Sequence, residues 1–238
     1  MEKVRIGLLG AGRIGKLHGE NVQFLVPNAE IIIAADPFMN DAMEAWAKGI
    51  GIAKVTKDPA EVFACPDVDA VMICSATNTH ADFIIEAAKA GKHIFCEKPI
   101  HTDVAKIKEA LAAVEEAGVK LQVGFVRRFD KNHKAVRDVV ASGELGKPYV
   151  IKVCSRDPEG PPMSYVAVSG GIFLDMAIHD FDMVRYLSGS EVTEVYATGT
   201  ILTDPGYADY DDVDTVITTL KFANGAIGVI DNCRTAPY

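Results

Sequence analysis

The feature that most limits what this chain can fold into lies in its first forty residues. A short apolar run, Val4-Arg5-Ile6-Gly7-Leu8-Leu9, leads directly into Gly10-Ala11-Gly12-Arg13-Ile14-Gly15. Behind it, Ile14, Leu17, Val22 and Leu25 recur at mostly helical spacing over residues 13–26. A bound pyrophosphate requires that order of strand, glycine turn and helix. Gly10 permits the tight turn, Gly12 lets the backbone approach the phosphates, and Gly15 lets the helix pack close on the strand. Arg13 and Ile14 then open a helix whose free N–H groups and positive dipole end face the anion. A second β-branched run, Glu30 to Ala35, ends in Asp36, 21 residues beyond Gly15. A carboxylate there accepts from adenosine ribose hydroxyls and repels a 2′-phosphate, which points to NAD rather than NADP. A plain glycine-rich turn beside a solvated aspartate would not bring all these features together.

Strand and helix patterns keep alternating. Asp41–Lys48 reads as a helix, Val68–Ser75 as a strand, Ala81–Ala90 as a helix closed by Gly91, and Lys92–Cys96 as a strand. Asp103–Ala117 carries Val104, Ile107, Leu111 and Val114 on one stripe with Gly118 just past its end, and Val119–Phe125 is a further strand. Such alternation means a parallel sheet covered on both faces. After about residue 127 the pattern changes. A helix over Asp130–Ser142, a strand over Lys147–Cys154, a Pro/Gly-rich stretch over Arg156–Gly171 and a helix over Gly171–Leu187 come first. Strands then follow over Glu191–Leu202, Thr215–Phe222 and Ala226–Asn232, the last two joined by Ala223-Asn224-Gly225, a hairpin signal. The expected fold class is α/β: a Rossmann-type, doubly wound parallel sheet over residues 1–125, then an α+β domain on a largely antiparallel sheet over residues 126–238. A chain of 238 residues has room for both. The apolar last strand, Ala226–Asn232, is expected at a sheet edge, where it would either pair with another subunit or leave the second domain poorly stable while the first still binds NAD.

Composition excludes several classes. With 33 acidic and 24 basic residues the net charge is −9, which repels phosphate backbones and argues against nucleic acid. Five cysteines, at 65, 74, 96, 154 and 233, show no CxxC spacing and read as reduced thiols. No apolar run approaches the roughly 20 residues of a membrane span, and the first apolar run is too short for a signal segment. A cytoplasmic protein without membrane contact is expected.

Three clusters carry chemistry. Ser75, Thr77 and His80 stand where a strand gives way to a helix, at the carboxyl edge where open α/β sheets bind ligands. They would touch a cofactor there, although Thr77 or Thr79 would serve equally as a helix cap. Glu97-Lys98-Pro99 ends the next strand at the same edge, near the nicotinamide end of a dinucleotide. The Lys98 ammonium can bond a substrate hydroxyl and polarise a developing carbonyl; a solvated loop lysine is the alternative. In Gly170-Gly171-Ile172-Phe173-Leu174-Asp175-Met176-Ala177-Ile178-His179-Asp180-Phe181-Asp182, Asp175 and His179 are spaced i,i+4 on one expected helix, with Asp182 joining that face. A carboxylate beside an imidazole fixes its tautomer and raises its basicity, as a general base requires. No metal is expected, because hydride transfer to a nicotinamide needs none.

Taken in order, GAGRIG with Asp36, CEKP ending at Pro99 and SGGIFLDMAIHDFDM resemble the glucose–fructose oxidoreductase/inositol dehydrogenase family over the entire chain. Ser155-Arg156-Asp157-Pro158, Pro161-Pro162 and Tyr165 look most like its inositol 2-dehydrogenase branch. The resemblance implies a Rossmann domain followed by an α+β domain whose open sheet forms a homo-oligomer. It implies catalytic roles for Lys98, Asp175 and His179, and a Val123–Phe129 segment near nicotinamide and substrate. It further implies NAD-dependent oxidation of a ring hydroxyl of a cyclic polyol, myo-inositol to its 2-keto product first of all. A related sugar or inosose dehydrogenase, or a non-catalytic NAD-binding protein, are the alternatives. Arg127, Arg128, Asp157, Tyr165 and Asp182 are the candidates for meeting polyol hydroxyls. Family members are longer, so the resemblance implies a C-terminal domain shortened at Tyr238.

Overall fold

The computed structural model of the chain describes residues 3–236 and divides into two compact units, Met1–Gly124 and Phe125–Tyr238. Met1, Glu2, Pro237 and Tyr238, the outer ends of the two expected domains, lie outside the described residues.

The first unit runs β1 (Val4–Leu9), α1 (Arg13–Leu25), β2 (Ala29–Ala35), α2 (Asp41–Gly49), β3 (Lys54–Thr56), α3 (Ala60–Ala64), β4 (Ala70–Ile73), α4 (Thr77–Lys89), β5 (His93–Cys96), α5 (Val104–Ala117) and β6 (Leu121–Val123). Its six strands lie in the order β3-β2-β1-β4-β5-β6, all parallel. The order reverses between β1 and β4, the switch point at which α/β sheets open a crevice. Successive residues are buried on opposite faces. Leu9, Ile33, Val71 and Ile73 pack with Ile84 and Val114 on one side, and Leu8, Ile31, Ala34 and Met72 with Val22 and Ala47 on the other. That double cover is why these strands read as apolar runs rather than alternations. Asp103 caps α5 by accepting from the Ala105 amide at 2.7 Å, and Gly118 ends it at φ +66°. The three residues of β3 and the five of α3 are too short to leave a period in the sequence. Helix α4 begins at Thr77 rather than Ala81, so Thr77, Thr79 and His80 all sit in its first turn.

The second unit begins with a 3-10 turn, Val126–Phe129, and continues with α6 (Lys131–Ser142), β7 (Val150–Arg156), α7 (Met163–Ser169), α8 (Gly171–Asp175) and α9 (Ala177–Ser188). It closes with β8 (Val192–Thr200), a 3-10 segment Pro205–Tyr210, β9 (Thr215–Phe222) and β10 (Ile227–Cys233). The sheet order is β7-β10-β9-β8. Strands β8, β9 and β10 pair antiparallel, whereas β7 joins β10 in parallel, so the sheet is mixed.

Two expectations are corrected here. The last strand is not at an edge: β10 is hydrogen-bonded to β9 on one side and β7 on the other, because the chain returns β7 alongside it. Within the Pro/Gly-rich stretch, Pro162 is the N-cap of the two-turn helix α7. The helix expected over Gly171–Leu187 is broken at Met176, with φ −95° and ψ −59°, so Asp175 closes α8 while His179 and Asp182 lie on α9. Ile172, Met176 and Met183 are buried on either side of and at that break.

One sheet face is covered. In β9, Val216, Thr218, Leu220 and Phe222 are buried while Ile217, Thr219 and Lys221 are exposed. Leu220, Phe222 and Ile230 pack against Val184 of α9. Among the described residues no helix is long and apolar enough to cross a membrane.

Candidate active site

The carboxyl edge of the first sheet fits a dinucleotide. Gly10 has φ +96°, and a Cβ there would meet the Cys74–Ser75 backbone at 2.7 Å. A Cβ on Gly15 would come within 1.9 Å of the Gly10 carbonyl oxygen, whereas one on Gly12 would meet nothing within 4 Å. The turn is therefore tight where it touches the protein and open where a phosphate would approach. Gly12 is the N-cap of α1 and brings no side chain to its first amides, which stay available to an anion beside the exposed Arg13 and half-buried Ile14. The Asp36 carboxylate is buried, with Oδ2 accepting from the Ala11 amide and Oδ1 from the Phe38 amide, both at 2.8 Å. Each oxygen keeps a lone pair for a ribose hydroxyl.

The next two loops are cross-braced. Ser75 and Thr79 hydroxyls lie 2.6 Å apart, and Thr79 donates to the Ala76 carbonyl at 2.8 Å; Ala76 is the N-cap of α4 and offers no side-chain bond. Thr77 is half-buried in the same turn. His80, expected beside the cofactor, is buried, its Nδ1 2.8 Å from the Pro99 carbonyl and its Nε2 3.0 Å from the Ser75 carbonyl. Glu97 Oε1 lies 2.7 Å from His18 Nε2 of α1. Half-buried Lys98 thus sits between two anchored neighbours, Glu97 tied to α1 and Pro99 tied to α4. Burial pushes the Cys74 and Cys96 thiols up from their ordinary range, with the Glu97 charge adding to it, so both stay protonated.

In the second unit, three aspartates around the α8–α9 break are each held by an arginine. Asp180, fully buried, is bound by Arg127, by the Ser155 hydroxyl at 2.7 Å and by Asn232 Nδ2 at 2.6 Å. Arg128 grips Asp182 through Nε and Nη2 at 2.7–3.0 Å, a bond that raises the guanidinium further above its usual range, and stacks over Tyr186. Asp175 accepts from the Tyr165 hydroxyl at 2.9 Å and from Arg234 Nη1 at 3.2 Å. Burial raises the Asp157 carboxyl above the usual range, with Arg234 opposing and Asp175 reinforcing the shift. His179 is half-buried in the first turn of α9.

The structure thus brings Asp157, Tyr165 and Asp175 together around Arg234, and spends Arg127, Arg128 and Asp182 on ion pairs within the unit. Reading the sequence passes over Arg234, Asp180, Asn232 and His18. One signal was available: three aspartates within eight residues, 175–182, must find cations when their helix packs on a sheet.

Residues 4–125 match the model of an oxidoreductase family with an NAD-binding Rossmann fold, and residues 133–238 match the GFO/IDH/MocA C-terminal domain. The myo-inositol 2-dehydrogenase of Thermotoga maritima is 46% identical over 99% of this chain and 70% of its own length. The scyllo-inositol 2-dehydrogenase (NAD(+)) of Bacillus subtilis is 43% identical over 99% of the chain and 69% of its own length. A dehydrogenase structure from Thermotoga maritima superposes with a TM-score of 0.95 at 46% identity, covering 98% of this chain and 70% of that one. Glycine cradle, Asp36 and matched domains agree, and the chain belongs to the GFO/IDH/MocA family of oxidoreductases, its first unit an NAD-binding Rossmann domain.

Proposed function

We propose that this chain oxidises a ring hydroxyl of a cyclic polyol with NAD, converting myo-inositol to 2-keto-myo-inositol. One arrangement carries the reading. Asp175 and His179 flank the α8–α9 break, while Arg127, Arg128 and Arg234 there are all paired with aspartates. That surface offers acceptors to neutral hydroxyls rather than cations to an anion. Bound NAD supplies the hydride acceptor. His179 removes the hydroxyl proton, Asp175 orients His179 and accepts from a neighbouring hydroxyl, and Lys98 stabilises the oxygen as it becomes a ketone. Tyr165 and Asp157 meet further hydroxyls, the hydroxyl of Tyr165 donating or accepting and the carboxyl of Asp157, raised from its ordinary range by burial, accepting. Arg127, Arg128 and Asp182 shape the site through their mutual pairs.

The names of the two relatives support inositol and divide over the epimer. Myo- and scyllo-inositol are epimers at the carbon oxidised and yield the same ketone. A homo-oligomer through the open face of the second sheet belongs to the same reading.

The test is NADH absorbance over a panel of inositol epimers and aldoses. Myo-inositol is expected to lead the panel, and His179→Ala to lower kcat by about 10²–10⁴-fold with NAD binding near normal. Lys98→Ala is expected to act in the same direction. Preference for an aldose, or unaltered turnover in a folded His179→Ala or Lys98→Ala variant, would sink this reading.

A further inference from the structure

Arg234 is among the largest fully buried side chains of the described residues, with 1% of its surface exposed. It follows β10 directly, and its amide donates to the Asp214 carbonyl at 2.8 Å, which ties its backbone to the start of β9. Its guanidinium lies between two carboxylates. Nη1 is 3.2 Å from Asp175 Oδ2, and Nη2 is 3.5 Å from Asp212 Oδ2. The ring of Tyr207 stands 5.9 Å from it. The two carboxylates mark opposite ends of α8. Asp212 Oδ1 accepts from the Ile172 amide at 2.9 Å, in the first turn, and Asp175 is the last residue.

A five-residue helix does not hold its own shape in water. One planar group fixed to the sheet and reaching both ends of α8 supplies the rigidity that α8 lacks. On the far side of Asp175, Oδ1 accepts from Tyr165 of α7, so the two carboxylate oxygens are held by donors from two different elements. Stability alone is a poor explanation for this arrangement. Nε and Nη2 of Arg234 and the Tyr207 hydroxyl lack a hydrogen-bond partner among the described residues. A buried charge with incomplete hydrogen bonding is costly, and apolar side chains of like volume often replace such pairs without loss. What apolar packing cannot supply is a fixed carboxylate.

We infer that Arg234 is a positioning residue for the reaction, holding the Asp175 carboxylate at the α8–α9 break. The inference rests on the role proposed above for Asp175. Arg234 touches neither substrate nor cofactor in this account; it acts through the orientation of Asp175.

The experiment is a double-mutant cycle in the full chain, with Arg234→Met, Asp175→Asn and the pair, read as kcat, KM for myo-inositol and NAD affinity. Misplacing a reacting group by about 1 Å costs roughly 10²-fold. Arg234→Met should therefore lower kcat by about 10²-fold while NAD affinity stays at the wild-type value. Because the residue acts through Asp175, adding Arg234→Met to Asp175→Asn should lower kcat no further. Arg234→Lys should recover part of the loss and remain about tenfold below wild type, since an ammonium reaches one carboxylate but cannot span two. Losses that multiply in the pair, or wild-type kcat in a folded Arg234→Met, overturn the inference. If Arg234→Met does not fold, the cycle is run with Arg234→Lys, and failure of both to fold marks a structural brace and overturns it equally. Wild-type turnover in Asp175→Asn alone would instead remove the role proposed for Asp175, a distinct result.

Discussion

At Asp36 each carboxylate oxygen already accepts one backbone N–H, so the side chain is oriented before any ligand arrives. We propose that the cofactor preference is set at this one residue. Its oxygens fit ribose hydroxyls, and its charge opposes a 2′-phosphate at the same place. Asp36→Ala should lower the ratio of kcat/KM for NAD over that for NADP by about 10- to 100-fold, the worth of a hydrogen bond to a charged group. Steady-state kinetics with both cofactors check it, and an unchanged ratio would remove Asp36 from cofactor selection. Asp36 was legible in the sequence because its role follows from a spacing rule along one βαβ unit. Arg234 and Asp180 were not. Their partners lie 59 and 53 residues away, and a buried ion pair leaves no period in either segment.

Among the elements, the interrupted helix α8–α9 depends most on its surroundings. The 3-10 turn Val126–Phe129 presents two successive arginines, and α9 presents Asp180 and Asp182 to them. Asp180 has no exposed surface, so removing Arg127 leaves a buried carboxylate short of its counter-charge. Such a loss typically costs about 3–5 kcal/mol. Ser155 and Asn232 continue to bond Asp180, so Arg127→Met should fall at about 3 kcal/mol, the lower end. Urea unfolding measures it. Adding Asp180→Asn to that variant should cost less than the two single losses together, since the charge needing a partner is gone. Simple additivity would show that the pair is not a clamp.

On the scale of the whole molecule, the two units solve the burial of a sheet differently. The first covers both faces, whereas the second leaves one face open. By alternation and register that open face carries Tyr196 of β8, Ile217 of β9 and Ile227 of β10, all exposed. A charge placed on that face tests the proposed association. Wild-type protein should scatter light as a multiple of the single-chain mass, and Ile217→Lys should shift it towards the single chain. A wild type that scatters as one chain would refute an oligomer through this face.

The parallel first sheet, the glycine cradle with Asp36, and the hairpin of β9 and β10 follow from the order of residues along the chain. Each is written in local terms: a run of apolar residues, a turn chemistry, a fixed spacing between neighbours. The family resemblance put forward Lys98, Asp175 and His179 as candidates, but not what holds them. Packing of the folded chain places β10 inside its sheet, breaks the helix at Met176, and sets His18, His80 and Arg234 against Glu97, Pro99 and Asp175. Those outcomes depend on long-range pairing. A buried charge or carbonyl must find its partner wherever the fold delivers one, and that place is set by packing rather than by sequence distance.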